Sequence, residues 1–156
     1  MIRDARPNSG AIEMNAGKRS AFDRVLDDLP AGARVVAGAH CGSPTTLLEG
    51  LASRADAERR WELLSGLVFG PHSFVDAVVA GQLAYRTWHV GPQTRDLVGN
   101  GHAHFVPIRG RDLPRYFDEI CPTLALVKVT PPSRSGYVSL GTSASYTMDL
   151  IRSAEL

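Results

Sequence analysis

Apolar positions recur along the chain in two rhythms, and their alternation predicts the architecture. Ala21, Phe22, Val25, Leu26 and Leu29 fall on one stripe of a helix that begins near Asn15 and is stopped by Pro30. Residues 33–38 form a short apolar run of strand type and pass into a turn at 39–44. A second helix opens at Thr45 or Thr46, with Leu47, Leu48, Leu51, Ala52 and Ala55 as its stripe. Residues 61–68 read as a strand, 74–83 as a helix and 84–90 as a third strand. Residues 91–99 form a short helix or turn, and Phe105-Val106 before Pro107 a minor strand. A short amphipathic helix follows at 113–120, then the clearest strand at 123–129. Residues 137–140 read as a further strand, and a helix starts near Ala144. Strands alternating with helices of this length predict βαβ units and a mainly parallel open sheet with flanking helices, an α/β fold.

Composition narrows the classes of function. Apolar residues make up 44% and charged residues 21%, as in a folded globular chain. Seventeen Lys and Arg against sixteen Asp and Glu leave a formal charge of +1, which speaks against a broad basic surface for nucleic acid or an anionic membrane. No apolar run approaches the roughly 20 residues of a membrane span. Residues 1–14 lack periodicity and the apolar core of a signal peptide, and are expected to be a flexible or partner-covered arm. Residues 15–156 are expected to form one domain of a soluble cytoplasmic protein. Fifteen glycines and ten prolines punctuate the elements without clustering into a linker.

Chemistry is first expected in the turn between the first strand and the second helix. Gly38 and Gly42 permit a sharp backbone turn, and Pro44 with Thr45 and Thr46 starts a helix whose first amides suit a phosphate or an oxyanion. Any βα turn favours glycine and a threonine, and this is neither GxGxxG nor a Walker loop, so local pattern alone favours an ordinary turn. Cys41 beside His40 is poorly placed for a thiol–imidazole pair, because neighbours on a strand end point to opposite faces. Cys41 reads as a buried structural thiol and His40 as a pocket residue. Cys121 lies far from Cys41 in sequence and suggests no disulfide or metal pattern. His102 and His104 would share one strand face, but zinc needs a third and usually a fourth ligand, so no metal is expected. Arg95 follows the Gly91-Pro92 turn and suits an acid or phosphate as well as it suits solvent. Gly136, Gly141, Thr142, Ser143 and Ser145 look like a second amide nest.

One segment is more particular. Thr130-Pro131-Pro132-Ser133-Arg134-Ser135-Gly136-Tyr137-Val138-Ser139-Leu140-Gly141-Thr142-Ser143, continued by Tyr146-Thr147, resembles the SPPDxHGYxSLGxS signature of the acetyl-CoA hydrolase/transferase family. That family includes acetate and 4-hydroxybutyrate CoA-transferases. Gly38-Ala39-His40-Cys41-Gly42-Ser43-Pro44 with Leu47, Leu48 and Leu51 resembles its GHAxGxPxxLxxAL motif. Val90-Gly91-Pro92-Gln93-Thr94-Arg95, Gly101 and Phe105-Val106-Pro107 resemble its VGxxxRxxxxxGxxxFxP motif. The resemblance covers about residues 30–156, and implies most of the N-terminal domain of a class I CoA-transferase.

In such enzymes a second-domain glutamate attacks the acyl-CoA thioester, and the resulting anhydride becomes a glutamyl-CoA thioester. No residue here matches that glutamate, because the sequence ends at Leu156 before the corresponding region. Glu49 matches no catalytic motif. The resemblance therefore implies one subunit of a split CoA-transferase or acyl-CoA hydrolase-like enzyme, with the glutamate on a second CoA-transferase-like subunit. Coenzyme A is implied as substrate, with no permanently bound cofactor. Gly38, His40, Gly42, Thr45, Thr46, Ser65, Gly66, Gly70, Arg95, Gly141, Thr142 and Ser143 would wall the acyl-CoA cleft. The family's Asp and His are replaced by Ser133 and Ser135, a later Asp by Ser145, and the Arg after the middle-motif glycine by His102. These losses remove charge near the expected cleft and point to a different acyl substrate. They also favour a second possibility, a non-catalytic subunit that binds or scaffolds an acyl-CoA or acyl-carrier thioester.

Overall fold

A computed structural model describes residues 16–156, and the expected arm at 1–14 lies outside the described residues. β1 (Arg34–Ala37) is short and apolar because it is covered on both sides. It pairs in parallel with β2 (Glu62–Ser65) and β5 (Leu124–Leu126), matching Val36 to Leu64 on one side and to Ala125 on the other. β3 (Ala84–Thr87) and β4 (His104–Phe105) extend the sheet beyond β2, giving the all-parallel order β4-β3-β2-β1-β5. The fold is the expected parallel α/β sheet.

Alternate residues of each strand serve different layers. Val35, Ala37, Leu63 and Tyr85 pack with α1 (Ala16–Asp28), α2 (Thr45–Arg54), α3 (Phe74–Val79) and α4 (Arg95–Gly99) through Leu26, Leu48, Leu51, Phe74 and Leu97. Val36 and Leu64 face α5 (Leu113–Ile120) and α6 (Thr147–Ser153) through Phe117 and Leu150. The layer change follows from chain direction. While the chain steps from β1 to β4 its helices lie on one face, and a right-handed crossover back to β5 requires α5 on the other.

Two expectations about elements are corrected. Residues 137–140 are not a strand: they are largely exposed and lie outside the sheet. They bond back to 130–133, where Pro131 and Pro132 have no N–H to donate, so a ladder cannot form. His102 and His104 do not share a strand, because β4 begins at His104 and His102 sits in the preceding turn. Strands β2, β3 and β5 and helix α3 are also shorter than the apolar runs that signal them. Beyond the last ladder bonds the same apolar residues continue into loops, as where Val68 meets His40 in a single bridge.

Candidate functional site

The chain adds β2, β3 and β4 on one side of β1 and then returns to place β5 on the other. At this reversal the loops leaving β1 and β5 diverge, which opens a crevice at the carboxyl ends of the strands. A cavity of about 360 Å³ lies there, walled by residues 43–47 and 127–129. Thr45 and Thr46 contribute the first turn of α2, and Lys128 the positive side chain. The first intrahelical-type bond runs from Leu48 N–H to Pro44 C=O at 3.0 Å. The Thr46 and Leu47 amides therefore have no helix carbonyl to donate to, whereas the Thr45 N–H already bonds Ser43 C=O at 3.1 Å. Lys128 and the first turn of α2 thus put positive potential at an opening that, among the described residues, is lined by no carboxylate.

The β1 loop is held by close packing. His40 sits in the left-handed region at φ 56°, its N–H donating to Leu67 C=O at 2.7 Å and its C=O accepting from the Ser43 hydroxyl at 2.7 Å. The half-buried His40 ring meets Phe69 and His89 edge-on, each at 5.9 Å between centroids, and lies outside the cavity wall. A β-carbon on the buried Gly42 would stand 3.1 Å from Ser143 C=O and 3.2 Å from Ala39 C=O. Gly42 thus lets the 141–145 segment rest directly on the β1 loop, where the Ser143 hydroxyl reaches Ala39 C=O at 3.4 Å. Gly70, at φ 100°, brings the β2 loop against the Thr45 side chain.

A buried polar layer fixes the floor below these loops. The Tyr146 hydroxyl, at the start of α6, donates to Ala37 C=O at 2.7 Å and accepts from Gly66 N–H at 3.2 Å. Its ring stands edge-on to Trp88 at 5.3 Å and to Phe117 at 5.5 Å. Ser65 is fully buried, with its hydroxyl 2.9 Å from the Tyr85 hydroxyl and its C=O accepting from the Thr87 hydroxyl at 2.9 Å. Burial raises the Tyr146 phenol well above the ordinary tyrosine range, and the Gly66 hydrogen bond opposes this only in part. Burial also raises Tyr85, against the hydroxyls of Ser65 and Thr87. Both phenols stay neutral donors through the physiological range.

The expected site residues divide into groups. Thr45 and Thr46 line the cavity. Gly38, Gly42, Gly70 and Ser143 shape the loops around it, and Ser65 and Gly66 belong to the buried layer beneath. Arg95 opens α4 on the loop after β3, exposed, and Gly141 and Thr142 are also exposed. Cys41 is exposed, which corrects its reading as a buried thiol. The left-handed turn at His40 lifts the chain off the sheet, leaving Gly42 underneath and Cys41 outside. His102 borders a separate cavity with Arg60 and Gln82 at the amino ends of the strands, so its exchange does not alter charge at the cleft. Ser133 is used locally, its hydroxyl accepting from Tyr137 N–H at 3.1 Å. Among the described residues no group of three or more His, Cys, Asp or Glu is placed to hold a metal, and no helix is long and apolar enough to cross a membrane.

Sequence reasoning did not single out Lys128. The chain has only one other lysine, Lys18, and Lys128 directly follows the most apolar strand. Those signals were available, but the adjacency of β5 to β1 was not.

Comparison with known proteins agrees with the fold and the motifs. No family model matches the chain. The 4-hydroxybutyrate coenzyme A transferase of Clostridium kluyveri is 26% identical over 146 residues, covering 92% of this chain and 34% of the relative. Three further curated relatives are also CoA-transferases. Among solved structures, RipA from Yersinia pestis superposes with a TM-score of 0.69 at 21% identity, over 85% of this chain and 34% of that one. The 4-hydroxybutyrate CoA-transferase of Porphyromonas gingivalis gives 0.60 at 20% identity, over 87% of this chain and 30% of that one. The parallel sheet, the three motifs in order and these relatives together make the chain similar to part of a CoA-transferase, spanning between 18% and 34% of the length of the curated relatives it matches.

Proposed function

We propose that this chain supplies the substrate-holding side of a CoA-transferase cleft. The nucleophilic glutamate would come from polypeptide outside the sequence, on a second CoA-transferase-like subunit. The observation that carries the reading is the cavity at the strand reversal, which offers Lys128, the first turn of α2 and two threonine side chains and, among the described residues, no carboxylate. That set binds an anion or a developing oxyanion and cannot itself attack a thioester. A carboxylate brought to the opening would attack the acyl carbonyl, expelling CoA thiolate and leaving an acyl-glutamyl anhydride. The thiolate would then attack the glutamyl carbonyl, releasing the first acid and leaving CoA on the glutamate for a second carboxylate to accept. In this chemistry Lys128 and the amides of Thr46 and Leu47 hold an anionic group of the substrate at the opening. Gly42 and Tyr146 keep the two loops in place, and His40, outside the cavity wall, holds the turn through its backbone bonds to Leu67 and Ser43.

Copurification with a polypeptide related to the remainder of a CoA-transferase, and exchange of labelled carboxylate into acyl-CoA by the assembly, test the reading together. Lys128→Ala is expected to weaken CoA binding about tenfold, in line with the loss of one charge-assisted bond. His40→Ala and Gly42→Val are expected to lower exchange, and Cys41→Ala to leave it intact. A chain that associates with no such polypeptide contradicts the proposal. The alternative, a non-catalytic subunit holding an acyl-CoA or acyl-carrier thioester, predicts that replacing the partner's glutamate leaves product formation unchanged.

A further inference from the structure

After β5 the chain leaves the fold, and every residue from Lys128 to Ser139 is exposed. The excursion is nonetheless ordered by its own bonds. Thr130 N–H donates to Ser139 C=O at 2.8 Å, Ser133 N–H to Tyr137 C=O at 2.8 Å, and Gly136 N–H to Ser133 C=O at 2.9 Å. The side chains of Thr130 and Ser139 reinforce it, accepting from Ser139 N–H at 3.0 Å and Gly141 N–H at 3.1 Å. Pro131 and Pro132 further restrict the backbone. Such an arm pays little ordering entropy on association.

Its outward side chains do not suit solvent. Tyr137 is 79% exposed, Val138 52% and Val129 41%. A rigidly held tyrosine beside aliphatic neighbours is the composition of an interface anchor. Charge sharpens the choice of partner. Between residues 122 and 148 the only charged side chains are Lys128 and Arg134, with no Asp or Glu among them. Two charges are too few for a polynucleotide. A second copy meeting this arm through a two-fold axis would set lysine and arginine against lysine and arginine. The fitting surface is apolar with carboxylates. Lys128 and Val129 are also in the cavity wall, so whatever covers the arm also reaches the cleft.

We propose that the 128–142 arm is the docking surface for the polypeptide that carries the catalytic glutamate. Tyr137 and Val138 are its apolar anchor, and Arg134 faces carboxylates of the partner, while Lys128 stays with the cavity. The inference rests on the function proposed above and adds where the two parts meet. The matched relatives, of which this chain covers 34% and 26%, indicate what that partner would resemble.

The test is site-specific photocrosslinking in the cells that make the protein. p-Benzoylphenylalanine is placed at the position of Tyr137 and, as a control at the opposite end of the sheet, of Glu58. Mass spectrometry should find the Tyr137 position joined to sequence related to the remaining two-thirds of a CoA-transferase, whether on the same or a separate polypeptide, and the Glu58 position not. A crosslink to a second copy of this chain, to an unrelated protein, or to nothing while a CoA-transferase-like partner copurifies overturns the inference. The double variant Tyr137→Asp/Val138→Asp should weaken that association at least about tenfold without changing the thermal melt, since both side chains are exposed. Wild-type association and exchange activity in the double variant would remove the docking surface while leaving the proposed function standing. Failure of any CoA-transferase-like sequence to associate would remove both.

Discussion

Replacing Tyr146 with phenylalanine should loosen the floor of the candidate cleft while keeping its shape. The ring stays against Trp88 and Phe117, and only one oxygen is lost. That oxygen serves two buried backbone groups at the ends of adjacent strands, Ala37 C=O at 2.7 Å and Gly66 N–H at 3.2 Å. An unsatisfied buried polar group costs about 1–3 kcal/mol, and partial relaxation places the sum near 2–3 kcal/mol. For a domain of this size that lowers the melting temperature by roughly 5–10 °C. Urea denaturation followed by far-ultraviolet circular dichroism at pH 7 measures it directly. A second arm varies pH. The folded-state phenol lies above its ordinary value of 10.0, so its stabilisation is complete below that value and declines as pH rises past it. Each such tyrosine contributes a slope of about 1.4 kcal/mol per pH unit between its unfolded and folded values. The wild type should therefore lose stability above pH 10 more steeply than Tyr146→Phe, with Tyr85 responsible for the remaining dependence. A variant within about 0.5 kcal/mol of wild type at pH 7, or identical alkaline curves, would refute the reasoning.

Gly42→Ala should cost about 1–3 kcal/mol and raise hydrogen exchange in 141–145, because its β-carbon would press on Ser143 C=O at 3.1 Å. Unchanged exchange there would mean that the two loops do not rest on each other. Cys41 and Cys121 are both exposed, so two thiols should react with Ellman's reagent without denaturant, falling to one in Cys41→Ala; a thiol that reacts only after unfolding would return Cys41 to the interior.

The alternation of strand and helix was legible in the sequence because each element's apolar spacing is local. Leu48 and Leu51 mark one face of α2, and the short apolar run ending in Val35, Val36 and Ala37 before a glycine turn signals a buried strand. The motifs around Gly38–Pro44 and Thr130–Ser143 also carried the resemblance to CoA-transferases, to which the curated relatives belong. Local pattern did not reveal that residues 137–140 lack a sheet neighbour or that Cys41 faces out. The first depends on which strand edge is free, and the second on one left-handed residue, His40. The cavity was equally hidden, since it exists only because β5 returns to lie beside β1, bringing Lys128 to Thr45 and Thr46 across a separation of more than eighty residues. Tyr146 gained its role in the same way, from a hydroxyl that meets Ala37 C=O and Gly66 N–H only when α6 packs under the sheet. Spacing along the chain fixes which face of an element is apolar, but the meeting of distant loops depends on strand order, and strand order is set by the packing of the whole sheet.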